Sequence, residues 1–97
     1  MSLKLVSWEF EIFGKVQGVF FRKCTQKQAK LLGITGWIKN TSRGTVKGVI
    51  EGPTKKIEEI QTWLQTQGSP KSNIVKALFH NKQEICNRNF DTFAIKY

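Results

Sequence analysis

Histidine is almost missing from this sequence: His80 is the one imidazole in 97 residues. A single histidine cannot build a metal site alone, and its neighbours Asn81 and Lys82 mark a surface position. Cysteine is nearly as scarce. Cys24 and Cys86 stand far apart and match no metal-ligand or redox spacing. Two free thiols are expected, with Cys24 buried on a helix face. Neither a disulfide framework nor a metal or other cofactor is expected. No apolar run approaches the ~20 residues that span a bilayer. The N-terminus has no basic start followed by an apolar core, so no signal peptide is expected, and the expected compartment is cytoplasmic. Acidic residues are few as well, 7 against 16 lysines and arginines, which leaves a formal charge of +9. Such a field draws anions. The basic residues are spread along the chain with no Lys/Arg block or Arg-rich arm, which argues against nucleic acid as the partner.

What is present is enough for one compact domain, residues 1–97. Trp8, Phe10 and Ile12 alternate with Ser7, Glu9 and Glu11, so a first strand is expected from about Leu5 to Phe13. A helix is expected from about Phe21 to Leu32. Phe21, Cys24, Gln28, Ala29 and Leu32 share a stripe there, while Lys23, Lys27 and Lys30 face out and Gly33 stops the helix. Strands follow at about Ile34–Thr41 and Thr45–Glu51, joined by a turn at Thr41-Ser42-Arg43-Gly44. Thr54 is the expected N-cap of a second helix, which buries Ile57, Ile60 and Leu64 and ends at Gly68 and Pro70. A fourth strand covers Ile74 to about Lys82, and Asn81–Asn89 turns. A short last strand holds Phe93, Ile95 and Tyr97. Trp8, Trp37 and Trp63 are expected in the core. The order predicts an α+β, ferredoxin-like split βαβ sandwich, with an antiparallel four- to five-stranded sheet and two helices on one face.

Between the first strand and first helix lies Gly14-Lys15-Val16-Gln17-Gly18-Val19-Phe20-Phe21-Arg22. It holds two glycines and a basic residue near each end, with no acid inside. A loop of this kind can turn several backbone N–H groups to one point at the positive end of a helix. Gly18 lets a backbone approach an anion, and the Arg22 guanidinium can grip two phosphate oxygens at once. Taken alone, the loop also fits a tight turn followed by a surface arginine. Asn40 ends the second strand, and alone it fits a turn-favouring asparagine.

Together the two segments resemble a family. Gly14 to Arg22 is similar to the first signature of the acylphosphatases. Gly36-Trp37-Ile38-Lys39-Asn40-Thr41-Ser42-Arg43-Gly44-Thr45-Val46, continuing to Gly52, is similar to the second. Gly68-Ser69-Pro70 and Tyr97 fit as well. Ile38 stands where the family usually has a smaller Val or Ala, which bears on packing. The resemblance implies hydrolysis of an acyl phosphate to a carboxylate and inorganic phosphate. It implies that Arg22, with the amides of the loop, binds phosphate: the substrate-binding set is Lys15, Val16, Gln17, Gly18, Val19, Phe20, Phe21 and Arg22. It implies that Asn40 orients the attacking water, that Thr41 helps fix Asn40, and that the Tyr97 carboxylate pairs with Arg22. The chemistry agrees. The leaving group is a stable carboxylate, so no strong general acid is required, and phosphoryl transfer rests mostly on positioning and charge. The expected partners are a small acyl phosphate and its product inhibitor, inorganic phosphate. Neither nucleic acid nor membrane is expected, and the chain is expected to be a monomer.

Two alternatives share the fold: a non-catalytic anion-binding or regulatory domain, and an RNA-binding domain. The RNA-recognition motif stacks bases on aromatics of its central strands, and Thr45-Val46-Lys47-Gly48-Val49-Ile50 has none. Asn40-Thr41-Ser42 is formally a glycosylation sequon. A glycan there would block the residue assigned to catalysis, which fits a chain that stays out of the secretory path.

Overall fold

The structure is a computed structural model and describes residues 4–97. The elements are β1 (Leu5–Lys15), α1 (Phe21–Leu31), β2 (Thr35–Asn40), β3 (Val46–Pro53), α2 (Thr54–Thr66), β4 (Asn73–Ile85) and β5 (Phe93–Lys96). The strands form one sheet in the order β4-β1-β3-β2-β5. β1 pairs antiparallel with β3 and β4, and β3 with β2, while β5 joins the β2 edge in parallel. The expected split βαβ layout is therefore present, on a sheet that is mixed through its fifth strand. β1 and β2 both run antiparallel to β3. They point the same way, so their C-terminal ends meet at one end of the sheet.

Alternate residues of the strands build the core. Val6, Phe10 and Ile12 of β1, Ile38 of β2, Val46 and Ile50 of β3 and Phe93 of β5 pack with Phe21 and Ala29 of α1 and Ile57, Ile60 and Leu64 of α2. Each such Ile or Leu contributes about 1.5–3 kcal/mol through burial. Helix α1 ends as expected. Gly33, at φ 70, donates its N–H to Lys30 O (3.2 Å), and Ile34 N–H reaches Ala29 O (2.8 Å). This is the paired-bond ending that a left-handed residue allows.

Several expectations are corrected. Cys24 is only partly buried, and Thr25 takes the core position between Phe21 and Ala29. Thr25 can do so because its Oγ1 donates to Phe21 O at 2.8 Å, leaving its methyl for the core. Thr54 does not cap α2 but is its first residue, after Pro53. Its N–H and Oγ1 both bond Lys4 O, at 3.2 and 3.4 Å, which ties the helix start to the start of β1. Trp8 and Trp63 pack against the core, but Trp37 does not. Ile38 is the inward residue of β2, so Trp37 points to the open face, between Lys96 Nζ (4.5 Å from the ring centroid) and Lys39 Nζ (5.7 Å). β4 continues through Ile85, beyond the expected stop. Asn81, at φ 55, forms a bulge where His80 faces Glu9 and Gln83 faces Ser7, and the strand resumes after it. His80 is exposed as expected, with Nε2 3.6 Å from Glu9 Oε1.

Candidate active site

The loop after β1 is fixed by its own apolar side chains. Val16 and Val19 are buried and Phe21 is in the core, so the backbone between them stands at the surface. Gly18 takes φ 73, a conformation that suits glycine. Phe20 takes φ 61 and leaves its ring 77% exposed. A large residue held there is strained and gains little from burial, a pattern that clusters at functional sites. Among the described residues, no backbone carbonyl accepts from the amides of Gln17 through Lys23. The first bond of α1 runs from Cys24 N–H to Phe20 O (3.0 Å). Loop amides and helix N-terminus thus present unpaired donors together.

A cavity of about 380 Å³ opens on this loop. Its walls are Val16, Gly18 and Phe20 of the loop, Phe21, Arg22 and Lys23 of α1, Ile95 of β5, and Tyr97 just after that strand. Among the described residues, neither Arg22 nor Lys23 nor Lys15 is ion-paired with a carboxylate. The Arg22 contact with Tyr97 differs from the expected one. The guanidinium lies over the Tyr97 ring, 5.0 Å from its centroid, and Nη1 donates to Lys96 O at 3.3 Å. Face contact of this kind is favoured by the ring quadrupole. Lys15 ends β1, exposed and outside the cavity wall. Among the described residues no cluster of three or more His, Cys, Asp or Glu is placed to hold a metal.

Asn40 lies at the same end of the sheet, at the last position of β2. Its Oδ1 is buried with no hydrogen-bond partner among the described residues. The Thr41–Thr45 turn that follows is tightly bonded. Thr41 N–H donates to Thr45 O (2.8 Å), and Thr41 Oγ1 accepts from Arg43 N–H (3.3 Å) and Thr45 N–H (3.2 Å). The Thr41 and Thr45 hydroxyls are 2.6 Å apart, and Thr45 Oγ1 donates to Glu11 Oε2 (2.6 Å), which Arg43 Nη2 also reaches (2.6 Å). Thr41 was expected to fix the Asn40 side chain. It fixes the turn instead, with no bond to that side chain among the described residues. The two sequence segments meet through Gln17, whose Nε2 donates to Thr41 O and Thr45 O, both at 2.8 Å. Sequence reasoning missed Glu11, Thr45, Arg43 and this use of the Gln17 side chain. Only the outward position of Glu11 in the β1 alternation hinted at any of them.

Among the described residues, loop amides without backbone acceptors and an arginine without a carboxylate partner stand at the same end of a split βαβ sandwich as the Asn40 carboxamide, the layout of a small α+β domain with a phosphate-type loop. The sequence profile of the acylphosphatase family matches residues 8–95. Acylphosphatase-1 of Mus musculus is 55% identical over 91 residues, covering 94% of this chain and 92% of that protein. Acylphosphatase-2 of Cavia porcellus is 44% identical over 96 residues, covering 99% and 97%. The crystal structure of the acylphosphatase from Bacillus subtilis superposes with a TM-score of 0.86 at 27% identity, over 95% of this chain and 99% of that one. The chain belongs to the acylphosphatase family.

Proposed function

We propose that this protein hydrolyses the carboxyl-phosphate bond of acyl phosphates, with residues 1–97 acting as one monomeric, cytoplasmic domain. Family membership supports the reaction class. The observation that carries the assignment of the site is the Gln17 side chain, which bonds the phosphate-type loop to the turn that follows Asn40. In this reading the amides of about Gln17 to Arg22 and the Arg22 guanidinium hold the phosphoryl oxygens. Lys15 adds positive potential. Asn40 holds a water in line with the bond to be broken. The water oxygen attacks phosphorus, the bond from phosphorus to the acyl oxygen breaks, and the carboxylate leaves with the electron pair. The water proton passes to a phosphate oxygen. Charge builds on the equatorial oxygens in the transition state, where fixed donors act best. The cavity is larger than a phosphate needs, and its apolar walls suit the acyl part.

Benzoyl phosphate, followed by its loss of ultraviolet absorbance, tests the reading. Arg22→Gln is expected to lose roughly 10²–10³ in kcat/KM and to weaken competitive inhibition by inorganic phosphate. Asn40→Ala is expected to lose kcat with phosphate inhibition retained. A chelator is expected to change nothing. Absence of turnover by folded wild-type protein would leave an anion-binding domain in place of a hydrolase.

A further inference from the structure

Gln17 sends its side chain away from the cavity wall and into the turn after Asn40. One nitrogen, Nε2, faces two carbonyl oxygens, Thr41 O and Thr45 O, each at 2.8 Å. Only the NH₂ end of a carboxamide can stand there, and both of its protons are used. The two acceptors are the two ends of the turn, which the Thr41 N–H to Thr45 O bond closes. The sheet cannot do this work. β1 and β2 are not neighbours, because β3 lies between them. The β1–β3 register ends at Ile12 facing Val46, and Phe13 to Lys15 pair with β4 alone. Past that point no strand ladder relates the loop to the hairpin that carries Asn40. Among the described residues, no backbone–backbone hydrogen bond joins the loop to the turn either.

We infer that Gln17 is a positioning residue, whose side chain sets the spacing between the phosphate cradle and the carboxamide of Asn40 without touching substrate. The inference rests on the hydrolase reading above. Its backbone N–H belongs to the cradle and is kept in any side-chain variant, so the two contributions separate. In-line attack is sensitive to misplacement, and an error near 1 Å costs about 10²-fold.

The test uses benzoyl phosphate turnover and inhibition by inorganic phosphate in Gln17→Met and Gln17→Glu. Met keeps the length without the donors. Glu keeps the shape but turns a carboxylate oxygen toward two carbonyls. For Gln17→Met, kcat is expected to fall roughly 10- to 100-fold, with the phosphate inhibition constant within about threefold of wild type. Gln17→Glu is expected to fall further, and Gln17→Met remains readable if the Glu variant does not fold. In the Asn40→Ala background, Gln17→Met is expected to lower kcat no further, because the two residues act as a unit. Near-normal kcat in Gln17→Met would overturn the inference. So would phosphate affinity lost in step with kcat, or a full additional loss in the double variant. A wild type without turnover sinks the hydrolase reading and the inference with it, whereas an active wild type with an unimpaired Gln17→Met sinks the inference alone.

Discussion

Asn40 carries its side-chain oxygen into the interior with no donor among the described residues to meet it. A buried acceptor left unpaired costs about 1–3 kcal/mol, and such groups call for an explanation in terms of use. Among the described residues the Asn40 Nδ2 has no acceptor either, yet it is not among the buried unpaired atoms, so this end of the amide faces reachable space. In the proposed mechanism that end grips the attacking water. Asn40→Ala removes the unpaired oxygen together with the grip. The expected outcome is a protein whose unfolding free energy is equal to wild type or higher by about 1 kcal/mol, with kcat lowered as argued above. Urea midpoints measured beside the kinetics check this. A stability loss above ~1 kcal/mol would make Asn40 a packing residue, and the fall in kcat would then lose its meaning.

Among the elements, β5 depends on a carboxylate at the far end of β3. Glu51 is buried, and it accepts from Asn89 N–H and Asn89 Nδ2, both at 2.7 Å. Arg88 Nη1 adds bonds to Gly33 O (2.9 Å), Thr35 Oγ1 (3.1 Å) and Glu51 O (3.3 Å). These contacts pin the β4–β5 connection, and through it the strand that brings Ile95 and Tyr97 to the cavity. Glu51→Gln would aim an NH₂ group at one of the Asn89 donors. The expected cost is about 1–3 kcal/mol in urea unfolding, with kcat at saturating substrate within about twofold because the Thr41–Thr45 turn lies at the other end of β3. An unchanged midpoint would mean that the connection is held by Arg88 alone. None of this was legible in the sequence. Glu51 sits at the end of a Val/Ile-rich strand, and its partner comes 38 residues later from a stretch that reads as a polar turn. The far half of β4 was hidden for a related reason. It is a mostly exposed edge strand whose alternation breaks at the Asn81 bulge. What the sequence did carry was local. The β1 alternation, the Gly33 helix ending and the Ile57-Ile60-Leu64 spacing each depend on neighbours within one turn or one strand. Of the candidate site, the backbone loop, Arg22 and Asn40 could be picked out in the sequence, because they stand in long motifs. The Gln17, Thr45 and Glu11 contacts were not, because they cross between strands.

For the whole molecule the governing quantity is the charge of +9, which acts on a dianionic substrate before any contact forms. Arg22 and Lys23 line the cavity, and Lys15 precedes its first wall residue, Val16, with no carboxylate paired to any of the three among the described residues. They supply the near field. The remaining lysines supply a far field that is screened within about 10 Å at 0.1 M salt. Near and far contributions separate by experiment. Lys27 and Lys55 are exposed and outside the cavity wall. Replacing both by glutamate changes the charge by four, from +9 to +5. At roughly 20 mM salt the double variant is expected to show kcat/KM about two- to threefold below wild type. At roughly 300 mM salt the two proteins are expected to converge, because screening removes the far field from both. kcat is expected to be the same throughout, since in the proposed mechanism the bound phosphoryl group meets only the loop amides and Arg22. A wild-type kcat/KM that ignores salt would show that the surplus of lysine serves something other than substrate capture. A difference that persists at high salt would show that Lys27 or Lys55 acts through the fold and not through its field.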